Sequence, residues 1–118
     1  MTTIENAKIK SVDLSMEDHG VLTLSLVLEG AGWGTILGGY VMGHGYVGAK
    51  EFTGSAKGIE EIMRIMDTVG VSKFNDMKGK YVRVELGSWG DPITKIGNII
   101  EDKWFDYKEF YRAENSKL

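Results

Sequence analysis

Residues 22–29 read Leu22-Thr23-Leu24-Ser25-Leu26-Val27-Leu28-Glu29, an alternation of leucines with mostly polar residues. Successive side chains of a β-strand point to opposite faces of its sheet, so this pattern predicts a strand with one leucine-lined face in the core. We therefore expect the fold to be organised around a β-sheet that buries one of its faces.

Two further strands are predicted beside this one, over residues 7–16 and 33–42. In the first of them Ile9 has one parity and Val12 and Leu14 have the other, which predicts a β-bulge near Ser11. The turns at 17–20 and 30–32 are short and contain glycine. Short turns of this kind join neighbouring strands into an antiparallel meander.

The second half of the chain predicts a helix, a hairpin and another helix. Thr53 or Ser55 is expected to cap a helix that ends near Thr68, with a core face and a polar face. The expected core residues are Ile59, Ile62, Met63 and Met66, and the expected polar face is Lys57, Glu60, Glu61, Arg64 and Asp67. Ser72 is expected to cap a short turn over 74–77, strands follow at 81–86 and 93–100, and Asp106 caps a helix to about Glu114.

Strands and helices in separate runs indicate an antiparallel sheet with helices on one face. The predicted fold class is α+β, with an antiparallel β-sheet of about five or six strands, one main helix and a short C-terminal helix. A length of 118 residues, 42% of them hydrophobic and 26% charged, predicts one globular domain over 1–118.

Composition excludes several classes of function. The chain has no cysteine, which rules out disulfides and thiolate chemistry and fits the cytoplasm. The net charge of −3 argues against binding to duplex nucleic acid, which needs a basic surface. Neither a leader peptide nor a run of about 20 apolar residues is evident, so no membrane association is expected.

Catalytic groups are sparse, and we expect a binding protein rather than an enzyme. The two histidines, His19 and His44, lie in glycine-flanked turns without a serine and carboxylate arrangement around them. The carboxylates Asp13, Glu17 and Asp18 have the composition of a polar hairpin turn, so neither a metal nor a cofactor is expected.

Residues suited to an anionic, aromatic ligand are present. Arg83 and Lys95 have outward parity on neighbouring predicted strands, where a guanidinium and an ammonium group can meet phosphate, although such charges usually form a solvated face. Aromatic rings stack on nucleobases but serve more often in packing. The complete set of candidate ligand residues is Trp33, Gly38, Gly39, Tyr40, Arg64, Phe74, Arg83, Trp89, Lys95, Asn98 and Lys103.

Several longer stretches carry a family resemblance. They are Ala7-Lys8-Ile9-Lys10-Ser11, Met16-Glu17-Asp18-His19-Gly20, Gly32-Trp33-Gly34, Gly38-Gly39-Tyr40, Arg64-Ile65-Met66-Asp67-Thr68-Val69-Gly70-Val71 and Ile96-Gly97-Asn98-Ile99-Ile100-Glu101-Asp102-Lys103-Trp104-Phe105. Through them the chain resembles small phage and prophage proteins, in particular the Thoeris anti-defence sponges, over nearly its whole length.

The resemblance implies a phage counter-defence protein that acts in the cytoplasm of the infected bacterium. It would sequester glyco-cyclic ADP-ribose, an isomer of cyclic ADP-ribose made by bacterial TIR-domain enzymes, without cleaving it. The resemblance also implies a homo-oligomer, either a dimer or a trimer of dimers, with ligand pockets near the subunit boundary, and in some members a separate site for cyclic oligonucleotides.

Two other functions remain open from the residues alone. A protein-binding phage inhibitor such as an anti-CRISPR would need an acidic local surface. A hydrolase of nucleotide signals would need a general base or a metal, and would release its ligand altered.

Overall fold

The computed structural model describes residues 2–18, 20–44, 50–88 and 93–115, with only the backbone described at 17, 18, 39–42, 44 and 113–115. The elements in chain order are β1 (Thr3–Asp18), β2 (Val21–Gly30), β3 (Trp33–His44), β4 (Thr53–Gly54), α1 (Ala56–Val69), a 3-10 helix (Phe74–Met77), β5 (Tyr81–Leu86), β6 (Lys95–Gly97), β7 (Trp104–Asp106) and α2 (Tyr107–Asn115). This arrangement confirms the predicted α+β class.

One antiparallel sheet contains all the described strands in the order β4-β3-β2-β1-β5-β6-β7. The long strand β1 joins its two halves, because β1 pairs with β2 along most of its length and with β5 over Thr3 to Lys8. The strand number exceeds the predicted five or six because β4 and β7 have two and three residues, too few to give a sequence pattern.

The predicted meander β1-β2-β3 and its bulge are confirmed. The register of β1 against β2 shifts between Ile9 and Ser11, which puts Ile9 and Val12 on the same face of the sheet. On β2, Leu24, Leu26 and Leu28 are fully buried. The alternation in residues 22–29 therefore faces the core as expected.

The predicted strand over 93–100 is observed only in its middle, at Lys95–Gly97, and is wrong at both ends. Strand β6 ends at Gly97, and Asn98 turns the chain because its Oδ1 accepts hydrogen bonds from the backbone N–H groups of Ile100 and Glu101, both at 2.9 Å. An asparagine side chain that satisfies its own backbone in this way competes with the ladder of a strand.

Helix α1 begins and ends as predicted but faces the core with a different stripe. The Ser55 hydroxyl caps it by accepting from the Gly58 N–H at 3.0 Å, and Gly70 ends it. The buried residues are Gly58, Glu61, Ile65 and Thr68, with Ile62 and Met66 packed at the margin. Ile59 and Met63, which were expected in the core, are 54% and 63% exposed, and Glu61, expected outside, is fully buried.

The second helix contacts α1 on this rotated face. Tyr111 of α2 donates a hydrogen bond of 2.6 Å to Oε1 of Glu61, which gives the carboxyl group a partner inside the protein. The other oxygen, Oε2, is buried without a hydrogen-bond partner among the described residues. Burial raises the pKa of Glu61 above its ordinary value, and the hydrogen bond from Tyr111 opposes that shift.

The remaining helical segments follow their predicted bounds. Oδ1 of Asp106 caps α2 by accepting from the N–H groups of Lys108 and Glu109, and Tyr107 and Phe110 pack against the core. The segment 74–77 forms a 3-10 helix, but Lys73 precedes it and no side chain caps it, so the expected cap by Ser72 is wrong.

Candidate functional site

A surface cavity of about 800 Å³ lies where the end of α1 meets the start of β5 and the turn between β6 and β7. Its wall combines apolar and aromatic side chains with amide, ammonium and carboxylate groups, from Asn6, Val69, Gly70, Gly79, Lys80, Tyr81, Asn98, Ile99, Ile100 and Glu101. Cavities that hold small-molecule ligands have volumes of about 300–1,000 Å³ and this mixture of groups.

A second cavity, of about 480 Å³, adjoins the first, because Gly70 and Lys80 line both. It also contains Lys73 and Lys78 from the residues around the 3-10 helix, and Asp76 is the one acidic residue in its lining. All three lysines are exposed, and none forms an ion pair within the described part of the chain. They form a local positive region on a protein whose net charge is −3, which favours an anionic ligand.

A network of hydrogen bonds holds the wall of the larger cavity in place. The guanidinium group of Arg83 donates to the carbonyl oxygen of Asn98 at 2.7 Å and to that of Glu101 at 2.8 Å. Nδ2 of Asn98, which is buried, donates to the carbonyl oxygen of Thr68 at 2.9 Å. Arg83 is not itself in the cavity lining. It holds the β6–β7 turn in place through these two hydrogen bonds, from outside the cavity.

Two lysines complete this support. Nζ of Lys103 lies 3.4 Å from Oδ1 of Asp67 and 3.8 Å from Oε2 of Glu101, which ties β7 to the end of α1. Nζ of Lys95 pairs with Glu85 at 3.6 Å and lies 5.0 Å from the centre of the Trp104 ring. Arg83 lies over the same ring at 4.9 Å. Arg83 and Lys95 therefore both lie against the Trp104 ring.

Gly97 makes this arrangement possible. A Cβ atom at Gly97 would lie 2.6 Å from the Trp104 ring, so glycine is needed for the ring to approach β6 this closely. Phe105 belongs to the buried core at 5% exposure, whereas the half-buried Trp104 ring lies against Gly97.

Arg83→Ala is expected to lower the free energy of unfolding by about 1–3 kcal/mol, because two carbonyl groups lose a charged donor. Arg64→Ala is a matched control, since Arg64 pairs on the surface with Glu60 at 2.6 Å and exposed pairs contribute under about 1 kcal/mol. Urea unfolding of both variants measures the difference. Equal losses would show that Arg83 is an ordinary surface charge.

Four other predicted site residues, Trp33, Gly38, Arg64 and Phe74, lie apart from this site. Trp33 packs on the core at the β2–β3 turn and donates to Oε1 of Glu5 at 3.2 Å, and Phe74 also packs against the core. Gly38 forms a bulge in β3, and Gly39 and Tyr40 follow it in the same strand with undescribed side chains. Arg64 lies on the exposed side of α1, and Trp89 lies outside the described residues.

Sequence reasoning missed Lys73, Lys78, Lys80 and Tyr81. A signal was available, since three lysines fall within the eight residues 73–80 of an acidic chain. No periodicity accompanies them, because they lie in a turn and at the end of a 3-10 helix, and only the fold brings them beside the β6–β7 turn.

No group of three or more acidic, histidine or cysteine residues suited to a metal ion occurs among the residues described. Within that same part of the chain, no helix has the length and apolar character needed to cross a membrane. No family model, curated protein or solved structure matches this chain.

Proposed function

We propose that the protein binds and sequesters a small nucleotide signal in the cavity beside Tyr81 without cleaving it. The observation that carries this proposal is the pairing of an apolar and aromatic cavity of about 800 Å³ with three lysines that lack carboxylate partners in the described chain. An aromatic ring, amide groups and unneutralised ammonium groups match the base, sugar and phosphates of a nucleotide.

The chemistry of the cavity assigns parts of the ligand to parts of the wall. The Tyr81 ring is 55% exposed and offers a stacking surface to adenine, flanked by the exposed side chains of Ile99 and Ile100. Asn6 supplies an amide for ribose hydroxyl groups. Lys80 borders both cavities and is the first candidate to pair with a pyrophosphate.

The resemblance to the Thoeris anti-defence sponges supplies the identity of the ligand within this class. On that basis the signal is glyco-cyclic ADP-ribose, and the protein is a counter-defence sponge that acts as a homo-oligomer in the cytoplasm of an infected bacterium. A sponge must bind tightly, and a cavity whose wall is already held by Arg83, Asn98 and Lys103 lowers the cost of ordering on binding.

Release of an intact ligand tests this function. Purified protein is incubated with an extract that contains the TIR-generated signal, washed and heat-denatured, and the released molecules are analysed by mass spectrometry. We expect an unchanged isomer of cyclic ADP-ribose. Release of linear ADP-ribose would instead identify a hydrolase, and release of no nucleotide would contradict the proposal and leave a protein-binding inhibitor.

Calorimetric titration with glyco-cyclic ADP-ribose tests the site. Lys80→Ala and Tyr81→Ala are each expected to weaken binding about tenfold or more, since a charge-assisted bond or a base stack contributes about 1–3 kcal/mol. Lys108→Ala is the control, because Lys108 is exposed on α2 away from both cavities. If wild-type protein binds and all three variants bind equally well, the ligand lies elsewhere.

A further inference from the structure

The outer edge of β3 is unprotected along its first half. Strand β4 pairs only with Gly43 and His44, so no strand within the described residues covers the stretch from Trp33 to Leu37. Edge strands usually carry lysine, another charge or proline to prevent pairing with other chains. Residues 33–42 contain no charged residue and no proline, and the bulge of β3 lies only beyond this stretch, at Gly38.

The face of the sheet beside this edge has a bulky side chain next to a gap. Ile36 is 64% exposed. A cavity of about 580 Å³ lies over Gly34, between Ile36, Val27 and the ion pair of Lys10 with Glu29. Gly34 and Ile36 lie on the same face of β3 because they are two residues apart.

We propose that two copies of the chain pair through this edge, β3 against β3, in an antiparallel arrangement centred on Thr35. In that register Thr35 faces Thr35 of the second copy, and Ile36 faces Gly34 of the second copy on the outer side of the sheet. Each Ile36 then enters the cavity over the other copy's Gly34, so the surface is complementary to itself, as a two-fold interface requires.

The match between Ile36 and the cavity over Gly34 favours a second copy as the occupant, and charge does not oppose it. Each chain has a net charge of −3, and an interface between identical acidic proteins is disfavoured wherever like charges meet. The edge from Trp33 to Leu37 is uncharged, and the one ion pair at the cavity, Lys10 with Glu29 at 3.7 Å, is neutral as a unit.

This inference specifies one contact surface of the homo-oligomer proposed above, and this surface lies away from the ligand cavity, unlike the boundary pockets that the resemblance implies. It does not depend on the nucleotide, because the ligand cavity is built on the other half of the sheet, from β1, β5 and the β6–β7 turn. Loss of edge pairing and loss of ligand binding are therefore separable in experiment.

Light scattering of Ile36→Lys protein tests the interface. We expect the mass to fall to half of the wild-type value while the circular dichroism spectrum stays that of the folded protein, because Ile36 is exposed in the single chain. Ile59→Lys is the matched control, since Ile59 is a similarly exposed isoleucine on α1, and its mass should stay at the wild-type value. A wild-type mass of 13.1 kDa would refute any oligomer, whereas an oligomer that Ile36→Lys leaves intact would refute this surface alone.

A cysteine scan tests the register. The chain has no native cysteine, so Thr35→Cys introduces a single thiol that meets its own copy at the two-fold axis. Mild oxidation is expected to give a disulfide-linked dimer with Thr35→Cys and little with Ile59→Cys. A cross-link that forms only with Ile59→Cys would place the interface on α1 and overturn the proposal.

Discussion

Glu61→Gln is expected to become more stable than the wild-type protein as the pH rises above about 4.5. The folded state raises the pKa of Glu61 above its ordinary value of 4.5 because the carboxyl group is fully buried. Above pH 4.5 the folded state therefore keeps a proton that the unfolded state has lost. The stability that Glu61 contributes is complete below pH 4.5, and it is lost as the pH rises through the pKa of Glu61 in the folded state.

The size of the stability difference between Glu61→Gln and wild type follows from the environment of Oε2. Oε2 of Glu61 is buried without a hydrogen-bond partner in the described part of the chain. A buried polar group without a partner costs about 1–3 kcal/mol, and more when it is charged. Glutamine keeps an acceptor for the Tyr111 hydroxyl group and cannot ionise. We expect Glu61→Gln to be more stable by about 1–3 kcal/mol at pH 8, with the difference shrinking toward pH 4.

Urea unfolding at several pH values measures the free energy of unfolding of both proteins. Subtracting one profile from the other removes the contributions of the remaining titratable groups, which the two chains share. Tyr111→Phe serves as a second variant, because it removes the donor to Oε1 and should steepen the loss of stability with pH. Parallel profiles for wild type and Glu61→Gln would show that the carboxyl group is solvated in the folded protein.

The sequence predicted α1 but not the face that it buries. Ile59, Ile62, Met63 and Met66 have the spacing of an apolar stripe, and periodicity alone puts them in the core. The observed stripe lies to one side of theirs, and on it Glu61 meets Tyr111, which is 50 positions further along the chain. The residue pattern of one helix carries no information about a contact with another helix. For this reason the sequence predicted the wrong buried face for α1.

The candidate site shows the same limit: the chemistry of single residues was predicted, but their contacts with other elements were not. Arg83, Lys95, Asn98 and Lys103 were selected for their chemistry, and the structure brings them together around the β6–β7 turn. Their bonds go mainly to backbone carbonyls and neighbouring carboxylates, so they support a wall. Of these four, only Asn98 also lines the larger cavity. The lysines of the cavity linings, Lys73, Lys78 and Lys80, lie outside the strands and carry no strand pattern.

Gly38→Ala is expected to cause the largest loss of stability among single substitutions to alanine at the glycines of the sheet. Gly38 has φ +129, a conformation that residues with a side chain rarely adopt, and a Cβ atom there would lie 2.1 Å from the carbonyl oxygen of Leu24. Leu24 lies fully buried on β2, so its backbone cannot move aside without disturbing the core. We expect a loss of about 3 kcal/mol or more in the free energy of unfolding.

Two matched variants separate the causes of that loss. Gly32 has φ +78 but no atom within 4 Å of an added Cβ, so Gly32→Ala measures backbone strain alone and should cost about 1 kcal/mol. Gly54 has neither a positive φ nor a close neighbour, so Gly54→Ala should change stability by less than about 0.5 kcal/mol. Because the clash at Gly38 adds to its strain, the order of loss should be Gly38, Gly32, Gly54. If Gly38→Ala cost no more than Gly32→Ala, β3 could shift away from Leu24 at little cost, and the bulge would not fix its register against β2.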